Sequence, residues 1–139
     1  MYRNFFLMPG FLKFLTAMAF LNGVFIISSM LPGGVNIDGR IVRTSEWWSN
    51  GSGFAFVAAL LPLTASGVLM LLRTRYSRFA HVVGWLLQGV GVFAVTKINN
   101  VDVSRTSGYA GVGFVLAATL VIAIYVYRSK SARLYFDTQ

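Results

Sequence analysis

Four long stretches of this chain, at residues 14–31, 54–72, 81–96 and 109–127, contain no Asp, Glu, Lys or Arg. The hydrocarbon core of a bilayer takes about 20 apolar residues of helix. A segment inside it must satisfy its own backbone hydrogen bonds, which leaves helices and closed barrels. None of the four shows the alternation that a barrel strand needs. The expected fold is therefore all-α: a four-transmembrane-helix bundle forming one integral membrane domain over residues 1–139. The third stretch is the shortest, but Arg78 and Lys97 bound it, and their long stems can reach outward. The first, preceded by Arg3 and Lys13, has the look of a secretory signal. It is too long for one, and Ser29-Met30-Leu31 is a poor cleavage site, so it reads as a span.

Composition narrows the chemistry. The 139 residues are 56% hydrophobic and 12% charged, about half the charge of a soluble domain. A net charge of +8 would point to nucleic acid only on a soluble domain with a basic face, so no nucleic-acid partner is expected. The absence of Cys excludes disulfides and thiolate chemistry, and a single His excludes a multi-histidine metal site or a two-histidine haem within one chain. No cofactor is expected.

Sorting the charges by connection gives a direction. Arg3 and Lys13 precede the first span, Arg73, Arg75 and Arg78 lie between the second and third, and Arg128, Lys130 and Arg133 follow the fourth. These are eight of the twelve basic residues, opposed by Asp137 alone. The other side holds Arg40, Arg43, Lys97 and Arg105 with Asp38, Glu46 and Asp102. Basic loops stay cytoplasmic, so both termini are expected inside, in a bacterial cytoplasmic membrane. Arg73, Arg75, Arg78, Arg128, Lys130 and Arg133 are then candidate contacts to the headgroups of an anionic inner leaflet.

Two segments outside the spans carry signals of their own. Residues 1–8 are aromatic and basic, stop at Pro9-Gly10, and read as a short stretch lying on the membrane surface. The long first outer loop, residues 32–53, has the turn signal Asp38-Gly39 between Val35-Asn36-Ile37 and Ile41-Val42, which suggests a small hairpin. Glu46, Trp47 and Trp48 follow. Paired indoles serve either as an aromatic-belt anchor or as an outward recognition surface. Asn50-Gly51-Ser52 matches the N-glycosylation sequon, which matters only in a eukaryotic source. The mixed charges of both outer loops read as a solvated rim.

Uncharged polar residues recur inside the spans. Asn22, Thr64, Gln88 and Thr119 fall near the centres of the four, beside Pro62, and form a candidate midplane polar layer. Such a layer is either interhelical glue or a hydrated site for a small neutral substrate or lipid head. His81 is expected at the cytoplasmic interface. Small residues at helical spacing, Ala19 and Gly23, then Ala55, Ala59 and Ser66, then Ala80, Gly84 and Gly91 in line with Gln88, and Ala110, Gly113 and Ala117, are expected to mark the packing faces. Pro62 removes one helix hydrogen bond and predicts a kink.

No nucleophile and base stand out as a pair, and spans without carboxylates or cations lack the usual mark of ion coupling. The expected role is non-catalytic: interaction with another membrane or envelope protein, or self-association, through spans and outer loop, as in accessory, assembly or immunity proteins. A small transporter or lipid carrier, not coupled to ions and working as an oligomer, is the alternative.

Overall fold

A computed structural model describes residues 2–37, 39–101 and 106–137. Asp38, Asp102, Ser104 and Arg105 lie outside them. In chain order the elements are α1 (Tyr2–Leu7), α2 (Gly10–Ser29), β1 (Gly34–Ile37), β2 (Arg40–Arg43), α3 (Thr44–Ser49), α4 (Ser52–Leu71), α5 (Ser77–Ile98), α6 (Thr106–Arg128) and α7 (Lys130–Asp137). The helices α2, α4, α5 and α6 are each long and apolar enough to cross a membrane. They begin earlier or end later than the charge-free stretches do. Lys13, Arg78 and Lys97 thus stand within terminal turns of α2 and α5 rather than outside them.

The helix α4 lies between α2 and α5, and α6 joins through α5. Small residues let the backbones approach. A Cβ on Gly23 would lie 3.1 Å from Thr64 Cγ2, and one on Gly67 would lie 3.0 Å from Ala19 Cβ, so these pairs form the α2–α4 seam. On the α5 side, a Cβ on Gly84 would press on the Leu63 backbone at 2.7 Å, and one on Gly91 would collide with Ala59. Gly89 similarly receives Val115 of α6. α4 stays α-helical through Pro62.

The two ends of this assembly are closed differently. At the end carrying the chain termini, Met8, Leu12 and Leu15 meet Met70, Ile122, Val126, Tyr135 and Phe136 in one buried cluster. The connection from α4 to α5 begins with a Schellman turn: Arg73 N–H bonds the Met70 carbonyl and Thr74 N–H the Leu69 carbonyl. Arg73 takes the left-handed position at φ 56°, where glycine is usual. The end of α5 repeats the motif with Asn100 at φ 53° and Val101 N–H bonded to Thr96.

At the other end the hairpin signal is realised. β1 and β2 pair antiparallel, Gly34 with Arg43 and Ile37 with Arg40. Gly39 has φ 83°, and its N–H is taken by Asn36 Oδ1 at 2.9 Å. The pair and α3 sit over α4 and α5 as a lid, with Val42, Trp47 and Val95 in its core.

Candidate functional site

The polar residues of the interior converge first on the α4–α5 seam. Ser66 lies on the face of α4 that also carries Leu63, and His81 lies one turn before Gly84 on α5, so the close Gly84–Leu63 contact brings the two together. Ser66 Oγ and His81 Nδ1 are 2.8 Å apart, and Trp85 Nε1–H donates to His81 Nε2 at 3.2 Å. Ser66 also donates to the Leu63 carbonyl at 2.6 Å. Its single proton is thereby used, so His81 must donate from Nδ1 and accept at Nε2. That is a neutral imidazole in one tautomer with both nitrogens committed. His81, near the start of α5, is wholly buried between the helices. Ser66 and His81 form a hydroxyl–imidazole pair that the sequence hides, since the residues are 15 apart on different helices. With both side chains fully buried, the pair has no face open to a substrate.

Asn22 and Thr64 adjoin at the Gly23 contact, whereas Gln88 lies between the Gly84–Leu63 and Gly91–Ala59 contacts, nearer the lid than Thr64. Their bonding differs from interhelical glue. Asn22 Nδ2 donates to Met18 at 2.8 Å, Thr64 to Leu60 at 3.1 Å and Thr119 to Val115 at 2.7 Å, all within their own helices. The side-chain oxygens Asn22 Oδ1 and Gln88 Oε1 are buried and accept nothing.

The hairpin end separates the paired indoles. Trp47 is only 1% exposed and packs edge-to-face on Phe56, with ring centroids 5.6 Å apart. It is a core residue of the lid, not part of an accessible recognition surface. Trp48 is half-buried against Phe54, and Glu46 is paired with Arg40. The exposed rim is Arg40, Ile41 and Arg43. Beneath it runs a network the sequence did not announce. Asn99 Nδ2 donates to Ser52 Oγ at 2.8 Å and to the Val95 carbonyl, while Asn50 Nδ2 donates to Asn99 Oδ1 at 3.2 Å. Asn50 Oδ1 in turn accepts from Ser52 N–H at the start of α4. Both polar residues of the sequon are therefore occupied in holding the lid to α5.

The basic tail also folds. α7 turns back, burying Ala132, Tyr135 and Phe136. Tyr135 OH donates to the Met70 carbonyl at 3.1 Å, and the Arg73 guanidinium stacks 4.3 Å over its ring. Burial holds this phenol above its ordinary range, against the opposing charge of Arg73. Arg78 stacks on Phe136 and pairs with Asp137 at 2.7 Å. Arg73 and Arg78 thus bind α7 rather than standing free for headgroups. Arg75 lies over its neighbour Tyr76. Arg128, Lys130 and Arg133 are exposed around the α6–α7 corner.

Small residues mark internal seams on α2, α4 and α5, but α6 departs from the expectation. Its inward face is Val115, Thr119, Ile122 and Val126. At about 100° per residue, Ala110, Gly113 and Ala117 fall on the opposite face, continued by Val121 and Ile124. All five are exposed, and a Cβ on Gly113 would meet nothing within 4 Å. Phe114 beside them is 72% exposed.

These features are those of a mostly helical chain with four helices long and apolar enough to cross a membrane, compatible with an integral membrane protein. No family model, curated protein or solved structure matches this chain in the three comparisons made.

Proposed function

We propose that this protein acts without catalysis, by binding another membrane protein through the outward face of α6. The observation that carries the reading is the reversal of the small-residue stripe on that helix. On α2, α4 and α5 such residues sit where another helix approaches. On α6 the same pattern, Ala110, Gly113 and Ala117, is exposed, and a Cβ on Gly113 would meet nothing within 4 Å. Within lipid, close backbone approach and dispersion contacts drive helix association, so this face suits a partner helix of an accessory, assembly or immunity target. The exposed rim of the lid, Arg40, Ile41 and Arg43, offers a second contact beyond the bilayer.

Crosslinking in membranes and capture in mild detergent test this. A stoichiometric partner, or a second copy of the chain, is expected with the native sequence. Gly113→Leu or Ala117→Leu should reduce capture at least tenfold while leaving thermal unfolding unchanged. Undiminished capture by both variants would overturn the reading.

The two orphaned amide oxygens favour a second reading, a carrier of a small neutral solute or lipid head that is not coupled to ions. A donor from such a cargo would complete Asn22 Oδ1 and Gln88 Oε1. Asn22→Leu and Gln88→Leu separate the two. A folded but inactive pair supports the carrier, and a fully active pair removes its basis.

For orientation we propose termini inside a bacterial cytoplasmic membrane, on the distribution of basic residues. A reporter fused after Gln139 should behave as cytoplasmic.

A further inference from the structure

The small-residue half of the outward α6 face gives way, toward the end carrying the termini, to an open groove of about 450 Å³. Val121, Ile124, Tyr125, Arg128 and Ser129 line it. Their spacing of three and four residues makes an apolar strip that ends on a guanidinium and a hydroxyl. Tyr125 is held by Phe11 of α2, edge-to-face at 4.6 Å between centroids.

The charge at this corner is unmet. Arg78 is engaged by Asp137 and Arg73 by the Tyr135 ring, while Arg133 is exposed like its neighbours. Arg128 and Lys130 take part in no ion pair among the described residues, and both are exposed. Ser129 Oγ and Ser131 Oγ lie 2.9 Å apart. Two bonded hydroxyls use one proton on each other and keep the second to donate.

An apolar strip ending in a cation and a hydroxyl donor matches a molecule with an acyl chain and a phosphate, in that order. We propose that this groove holds one anionic phospholipid, its chain along Val121 and Ile124 and its phosphate at Arg128 and Ser129. The order of lining also fixes the leaflet, the one on the side of the termini. A free phosphate would satisfy the rim but leave the apolar strip uncovered. A partner helix fits the glycine half of the face better than this bulkier one. The proposal requires the chain to be in a bilayer and does not depend on the protein partner proposed above, since Gly113→Leu leaves the groove intact.

Native mass spectrometry of the full chain in a non-ionic detergent, titrated with phosphatidylglycerol or phosphatidylcholine, provides the test. One phosphatidylglycerol should be retained in preference to phosphatidylcholine. Arg128→Gln should weaken retention roughly fivefold, as expected for about 1 kcal/mol per membrane-facing cation, and Ile124→Trp should block the strip. Arg3→Gln, on the exposed surface of α1, should change nothing. Equal retention of the two lipids, equal loss in Arg3→Gln and Arg128→Gln, or competition by glycerol phosphate alone would each overturn the proposal. So would a photoreactive residue at Val121 that captures protein instead of lipid.

Discussion

Ser66 Oγ and His81 Nδ1 lie 2.8 Å apart across the α4–α5 seam, and neither side chain is exposed. The Leu63 carbonyl and the Trp85 indole use the remaining donor and acceptor capacity of the pair. Ser66→Ala would leave the imidazole N–H without an acceptor in an apolar seam. A loss of roughly 1–2 kcal/mol is expected, toward the upper range for polar contacts between membrane helices because the donor is orphaned. Trp85→Phe frees an acceptor instead and should cost less. Unfolding in mixed micelles, compared with the double variant, measures the coupling.

The lid rests on one indole. Trp47→Ala should cost about 3–5 kcal/mol, the range for emptying a buried aromatic site, and expose the β1–β2 connection to protease. Trp47→Phe should be far milder. The Trp47 Nε1 is buried without a partner, so phenylalanine loses no hydrogen bond and keeps the Phe56 contact. Trp48→Ala should fall between the two.

Two glycines on neighbouring helices, Gly91 of α5 and Gly111 of α6, are expected to respond oppositely. Gly91→Ala places a methyl into Ala59, and overpacking of this kind costs about 1–3 kcal/mol. Gly111→Ala on α6 meets nothing and should be neutral or slightly stabilising, because alanine is the better helix former. Thermal unfolding of the two single variants checks this directly.

Arg73 carries two opposed effects. Its left-handed backbone costs about 1 kcal/mol in a non-glycine residue, while its guanidinium steadies Tyr135. Arg73→Gly removes both, and Arg73→Ala removes only the stacking. The alanine variant should therefore be the less stable by about 1 kcal/mol.

The Tyr135 phenol makes α7 sensitive to alkali. Its folded value is raised by burial, with Arg73 opposing, so the folded state holds this proton more tightly than the unfolded chain. The resulting stability is present below the ordinary phenol range and is lost as pH climbs through the raised value. Tyrosinate absorbance should show a late-titrating component that coincides with release of α7. Tyr135→Phe should remove that component and the bond to Met70.

The sequence by itself determined the four membrane-length helices, because absence of charge over a bilayer's length is a local property. It also determined the hairpin, where Gly39 supplies the backbone freedom the turn needs, and it marked small residues at helical spacing. Which side of a helix meets a neighbour was not legible, since in a span both the buried and the lipid-facing sides are apolar. Ala110, Gly113 and Ala117 therefore read like Gly84 and Gly91, yet tertiary packing turns the first set outward and the second into α4. Adjacent Trp47 and Trp48 differ only by their angle around α3, which the lid decides. His81 and Ser66 become partners only because Gly84 lets α5 close on Leu63. Arg73 and Arg78 read as headgroup contacts, but α7 folds over Met70 and claims them, leaving Arg128, Lys130 and Arg133 exposed. Local chemistry specified the elements, and the contacts between distant residues specified which of their faces remain for a partner.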